Sequence, residues 1–359
     1  MTPAPAESER PATPPKSGAL TPFLRRLLGG ETLDSFEAAA AFERIMTGSV
    51  HHGEIGAFLA LLATRVPTAE ELLGAARVMR AHVQRVPTTC DPDRIVDTAG
   101  TGGAPKTFNV STAAAIVAAA AGGSPSIAVA KHGNRSRTGR GSAEVLQRLG
   151  VNVDADRATQ ARCLAEARIC FCFAIHHHPA ARHAMPVRLA LGFPTIFNLL
   201  GPLTNPAGAR RQLMGVYEKR FLQPIAETLA ALGAVRAMVV HSDDGLDELS
   251  INAPTTAVHV NNGRTHTERI VPGDLGLEAA DFDTITATDL KQATEMIGGV
   301  IDGSLTGPPR DITLLNASAT LLVADKVDSL GEGLTLAAQT IDSGQAAETL
   351  RKLIEVSNA

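Results

Sequence analysis

Residues Arg94–Gly123 read RIVDTAGTGGAPKTFNVSTAAAIVAAAAGG, and this stretch decides the fold. RIVDTAG has the apolar, β-branched opening of a short strand. Gly100, Gly102 and Gly103 then put three glycines into four positions, removing the Cβ atoms that would crowd a ligand. STAAAIVAAAAGG follows as an apolar helix closed by glycine. The same strand, glycine loop and helix recur at once as SIAVA, KHGNRSRTGRG and SAEVLQRLG.

Outward from this unit the alternation continues. ATQARCLAEARI reads as a helix and CFCFAI as a strand, and QLMGVY, a helix over 219–233 and RAMVVHS follow. Alternation of this kind predicts an α/β fold with a mostly parallel central sheet flanked by helices. TTAVHVNNGRTHTERIV differs, because Asn262-Gly263 between two alternating segments signals a hairpin. From about Ala287 the chain reads as helical again. Upstream, everything from Thr21 to about Val86 has helical spacing, including a capping box from Thr68 to Glu71.

The chain has 359 residues, is 44% hydrophobic and 19% charged, and carries a net charge of -4. That balance, with 3% aromatic residues for base stacking, argues against a nucleic-acid partner. Apolar runs such as AAAIVAAAAGG are too short and Ala-rich to span a bilayer, which argues against a membrane protein. The four cysteines show no metal-ligand spacing, and Cys170 and Cys172 read as small apolar residues on one face of a strand. Reduced thiols of this kind fit a cytoplasmic location. MTPAPAESERPATPPKSG, at the N-terminus, reads as a disordered Pro-rich tail.

In a parallel sheet, ligands bind beyond the carboxyl ends of the strands, and three loops there are chemically loaded. The first is Gly100–Thr112, whose glycines expose backbone N–H groups to an oxyanion. Thr107, Asn109, Ser111 and Thr112 add donors beside a helix N-terminus. The second carries Lys131, Arg135, Arg137 and Arg140 among glycines. Together these loops predict a ligand with several phosphates. The third, DDGLDELS, places Asp243, Asp244, Asp247 and Glu248 in the same region. Carboxylates next to phosphates repel them unless a hard cation intervenes, which predicts Mg²⁺. Arg188, in an otherwise apolar helix, is either a snorkelling residue or the holder of a substrate carboxylate. His176–His178 before Pro179 read as a strand-to-helix turn, not a metal site.

GTGG…TFNVST, KHGNRS…GSAEVL, HPA…PVR…TIFNLLGPLTNPA and DGLDELS together resemble the anthranilate phosphoribosyltransferase family over about residues 20–357. The resemblance implies transfer of phosphoribosyl from phosphoribosyl pyrophosphate (PRPP) to the amino group of anthranilate, within tryptophan biosynthesis. It implies a homodimer formed through a small α-helical domain, here residues 21–88 with about 187–204. The large α/β PRPP-binding domain is then 89–186 with 205–359, after the tail at 1–20. Gly100, Gly103, Thr107, Asn109, Ser111, Thr112, Lys131 and Ser142 match PRPP-contacting positions. Gly100, Asn134 and Arg188 match anthranilate-contacting positions, and Ser111, Asp247 and Glu248 match metal positions. No covalent nucleophile or strong general base is implied. The alternatives are a pyrimidine nucleoside phosphorylase-like enzyme, sharing the architecture, and a non-catalytic nucleic-acid-binding relative.

Two departures from the family pattern fall in the PRPP loops. GTGGAPKTF is one residue shorter than the common form and has Ala104 in place of Asp. The loop after KHGNR is also one residue shorter and exchanges serines for Arg137, Thr138 and Arg140. The expectation is that the loops changed together, with Lys106, Arg137 and Arg140 supplying cationic contacts to PRPP.

Overall fold

The computed structural model describes residues 18–359 except Lys106, Pro125, Arg137 and Thr138. Seven strands form one sheet: β1 (Ile95–Gly100), β2 (Ala128–Gly133), β3 (Ile169–Phe173), β4 (Arg211–Gly215), β5 (Arg236–Ser242), β6 (Thr255–Asn261) and β7 (Arg264–Ile270). Their order is β3-β2-β1-β4-β5-β6-β7. The first five are parallel, and β6 and β7 run antiparallel as the expected hairpin. Asn262 and Gly263 both have positive φ, as a tight two-residue hairpin turn requires. The chain winds outward from β1 to β3, then returns to the other side of β1 with β4. The β1–β4 junction is therefore the topological switch point where a crevice opens.

Fifteen helices surround the sheet among the described residues. α1 (Thr21–Leu28), α2 (Ser35–Met46), α3 (His52–Ala63) and α4 (Ala69–Ala81) form the N-terminal bundle. The Thr68–Glu71 capping box is present in both directions. α5 (Val110–Ala120), α6 (Ser142–Arg148) and α7 (Arg157–Glu166) follow, then α8 (Ala174–His177), α9 (Met185–Leu191), α10 (Ile196–Leu200) and α11 (Leu222–Ala231). α12 (Leu290–Ile301), α13 (Pro308–Val323), α14 (Leu330–Asp342) and α15 (Gln345–Asn358) close the chain. No helix among the described residues is long and apolar enough to cross a membrane.

Strand alternation sorts the side chains into two cores. Leu213, Met238 and Val240 join α5 and the C-terminal helices. Met214 and Val239 join the N-terminal bundle, α9, α10 and α11 on the other face. Successive strand residues point to opposite faces, so one apolar run serves both layers. Every residue of α5 except Ser111 is buried, and its alanines allow close packing on both the sheet and α13.

Three features of the fold differ from the sequence reading. Ordered structure begins before residue 21: Leu20 is fully buried, and its N–H donates to Glu54 Oε1 at 2.9 Å. The rest of the expected tail, residues 1–17, lies outside the described residues. β2 extends through Lys131, His132 and Gly133, which the sequence had suggested were loop. The segment expected as one helix around Arg188 is split into a 3-10 turn, Pro179–His183, and α9.

Candidate active site

The cleft lies beyond the carboxyl ends of β1, β2 and β4. Gly100 and Gly215 pair at the last position of the β1–β4 ladder, and the acidic loop lies directly across them. A Cβ on Gly215 would overlap the Asp247 carbonyl oxygen, and one on Gly100 would sit 2.5 Å from Asp247 Oδ2. Glycine is required here by close approach. From the other side, Asn316 of α13 accepts from the Leu249 N–H at 3.0 Å and donates to the Leu249 carbonyl at 2.8 Å. The acidic loop is thus pinned between two strand ends and a buried helix.

Only two of its four carboxylates line the cleft. Asp243 pairs with Arg269 at 2.6 Å on the surface. Asp244 accepts from the Ser250 hydroxyl at 2.5 Å and shapes the turn. Asp247 and Glu248 face inward. Glu248 Oε1 accepts from the Ser111 N–H at 3.1 Å, at the start of α5, and Oε2 accepts from the Thr107 hydroxyl at 3.0 Å. Burial, and then the neighbouring Asp247, raise the Glu248 pKa to about 7.

The deepest part of the cleft encloses about 230 Å³. Gly100, Gly103, Thr107, Asn109 and Ser111 line it from the β1–α5 side. Gly102 and Gly103 have positive φ, and Asn109 is left-handed at φ 72°. Lys131, Asn134 and Ser142 line it from the β2–α6 side. Lys131 is 3% exposed. Its Nζ donates to the Thr98 carbonyl at 2.8 Å and to Ser111 Oγ at 3.2 Å. Burial draws its pKa down to about 8, against the raising effect of Asp97, Glu248 and Asp247. Thr112 is the exception among the expected donors. It is 1% exposed and lies behind the cleft wall, because one step along a helix turns the side chain by about 100° away from its neighbour. Lys106, Arg137 and Thr138 lie outside the described residues.

The cleft continues past Gly100, His132 and Asn134 into a chamber of about 520 Å³ that contains Arg188, Phe197 and Asn198. A more apolar outer chamber of about 610 Å³ adds Ile175, Met185 and Leu189. The Arg188 guanidinium stacks 5.0 Å above the Phe197 ring. Among the described residues no carboxylate pairs with it, and burial lowers its pKa from the usual arginine value. This favours a carboxylate holder over a snorkelling residue. His132 and His178 meet at the wall with Nε2 atoms 3.2 Å apart. His176 instead pairs with Asp154, and His177 contacts the Gln84 carbonyl; both lie in α8 and not in the turn the sequence suggested, and successive side chains on a helix diverge.

Asp97 beneath the site was not anticipated from sequence, where it looked like one polar residue in a strand. It is fully buried and accepts from the His132 N–H at 3.0 Å, fixing the β1–β2 junction. Burial pushes its pKa up to about 6, opposed by hydrogen bonds from Asn205 and His132. A folded-state pKa above the unfolded value means that the native state holds the proton more tightly. Its contribution to stability is therefore full below about pH 4 and lost as pH rises through about 6. The stability of Asp97→Asn relative to the native chain is expected to rise by up to about 3 kcal/mol between about pH 4 and pH 7. Urea unfolding of both at each pH measures this, and a constant difference would refute the buried charge.

Among the described residues no group of three or more His, Cys, Asp or Glu side chains is placed to hold a metal. Asp247 and Glu248 nevertheless fit Mg²⁺, a hard cation bound by one or two carboxylates with phosphate oxygens and water completing the shell. Two adjacent carboxylates, one with a raised pKa, form a donor set that a cation would stabilise.

Comparison with known proteins is consistent along the chain. A model of the glycosyl transferase family helical bundle domain matches residues 21–83, and one of the glycosyl transferase family a/b domain matches residues 92–347. The chain is 46% identical over 324 residues to anthranilate phosphoribosyltransferase of Thioalkalivibrio sulfidiphilus, covering 90% of this chain and 94% of that protein. It is 44% identical over 336 residues to that of Rubrobacter xylanophilus, covering 93% and 96%. The crystal structure of anthranilate phosphoribosyltransferase from Thermus thermophilus superposes with TM-score 0.87 at 36% identity, covering 94% and 99%. The enzyme from Saccharomyces cerevisiae in complex with PRPP and Mg superposes with TM-score 0.85 at 26% identity, covering 96% and 99%.

Proposed function

Because the chain belongs to the anthranilate phosphoribosyltransferase family, we propose that its deep cleft holds PRPP and that its Arg188 chamber holds anthranilate. The enzyme transfers the phosphoribosyl group of PRPP to the amino group of anthranilate, giving N-(5-phosphoribosyl)anthranilate and pyrophosphate, in tryptophan biosynthesis. The relatives support this activity and not the phosphorylase or nucleic-acid-binding alternatives. The observation that carries the site assignment is the continuity of the two compartments. A donor-rich pocket with an acidic pair opens past Gly100, His132 and Asn134 onto an arginine that no carboxylate among the described residues pairs with.

In this reading the anthranilate amine attacks C1 of the ribose while the C1–O bond to pyrophosphate breaks, and the nitrogen then loses a proton. An aromatic amine is already unprotonated near neutrality, so the residues act mainly by positioning and charge stabilisation. Gly100, Gly103, Thr107, Asn109, Ser111, Lys131 and Ser142 bind PRPP, while Gly100, Asn134 and Arg188 orient anthranilate. Asp247 and Glu248, with Ser111, hold Mg²⁺; the chemistry it supplies is neutralisation of charge on the departing pyrophosphate. The proposed assembly is a cytoplasmic homodimer packed through the helical bundle. Leu28 and Phe36, 72% and 83% exposed on α1 and α2, support it; light scattering at the monomer mass would refute it.

Loss of anthranilate fluorescence that requires both PRPP and Mg²⁺ tests the activity. Arg188→Ala is expected to raise KM for anthranilate roughly 10- to 100-fold, the scale of one lost charge-assisted hydrogen-bonding group, with KM for PRPP unchanged. Equal effects on both constants would make Arg188 structural.

A further inference from the structure

We propose that Arg140 anchors a phosphate group of the donor in the deep cleft, an inference that rests on reading that cleft as the PRPP site. Arg140 lines the deep compartment and is absent from the walls of the two outer chambers, where Arg188 sits. Its Nη1 is shielded from water and donates to no acceptor among the described residues. Most buried polar side-chain atoms have a partner, because leaving one unmade is costly. No carboxylate pairs with Arg140 among the described residues, whereas Arg65, Arg211 and Arg236 all hold one.

The backbone at this position is fixed from both sides. The Arg140 N–H donates to Ser136 Oγ at 2.9 Å, and its carbonyl accepts from Asn109 Nδ2 at 3.1 Å. Asn109, left-handed at φ 72°, stands at the start of α5 and so ties the two glycine loops together. Gly139 next to it has φ +69°, and a Cβ on Gly141 would meet the Asn134 carbonyl at 2.6 Å. The turn therefore places the side chain at the cleft, and among the described residues its guanidinium is not used to hold the loop. A planar guanidinium with open donors matches phosphate oxygens, two at a time. Arg140 and Arg188, neither paired with a carboxylate among the described residues, thus divide the cleft: Arg140 for the phosphate end and Arg188 for the acceptor end.

Calorimetric titration with inorganic pyrophosphate and with PRPP, at constant Mg²⁺, tests this on the full chain and on Arg140→Ala, Arg140→Gln and Arg140→Lys. Both neutral variants are expected to bind each probe roughly 10- to 100-fold more weakly, with Lys recovering part of the loss. The salt dependence of affinity flattens in the neutral variants, a change that a merely structural residue would not produce. KM for PRPP rises while KM for anthranilate stays. Native affinity in Arg140→Gln overturns the proposal while leaving the donor-site reading intact. If the native chain binds neither probe, both fail.

Discussion

Asp247→Asn combined with Glu248→Gln is expected to lower kcat/KM roughly 1,000-fold, with the circular dichroism spectrum unchanged. The substitutions preserve shape, and the amide carbonyl introduced at position 248 can still accept from the Ser111 N–H that Glu248 caps at 3.1 Å. What they remove is the negative charge of the two carboxylates that line the cleft among the described residues. Without that charge a divalent cation would have no carboxylate from this pair to hold it, and the charge on a departing pyrophosphate would be less well neutralised. Mg²⁺ titration of activity separates the effects: the residual rate should need far more Mg²⁺ to saturate. Asp243→Asn serves as the comparison, because Asp243 pairs with Arg269 and Lys219 away from the cleft. A double variant with native activity would refute the metal assignment.

The second large effect is expected at Gly215. Gly215→Ala places a methyl group onto the Asp247 carbonyl oxygen, and a backbone atom cannot swing aside as a side-chain tip can. Either β4 or the acidic loop must move. The loop is held by both Asn316 hydrogen bonds, and β4 is held by β1 and β5. Overpacking of this kind is expected to cost about 3 kcal/mol or more of stability, together with nearly all activity. Gly100→Ala gives the contrast, since its methyl would meet only the Asp247 carboxylate. It should impair activity by displacing that carboxylate while leaving stability within about 1 kcal/mol of native. Denaturant melts and steady-state rates on both variants provide the check. Equal stability in the two would mean that the acidic loop is not clamped.

Local chemistry alone determined much of this protein. The strand-glycine-helix units, the Asn262-Gly263 turn and the Thr68–Glu71 cap are each fixed within a few residues of chain, so they are legible in order along the sequence. The candidate phosphate-binding loops were legible for the same reason, since glycines and small donors at strand ends have a local purpose. Tertiary structure alone decided which of those residues meet. Ser111 faces the cleft and Thr112 does not, although both carry hydroxyls, because the helix turns between them. Asp247 and Glu248 reach the cleft while Asp243 and Asp244 are spent on Arg269 and Ser250, partners that are distant or across a turn. Gly215 and Asp97 looked ordinary in their strands, and their importance comes from what the fold lays across them. Residue type and spacing specify what a segment can form. Side-chain direction and non-local packing select which of its groups share one cleft.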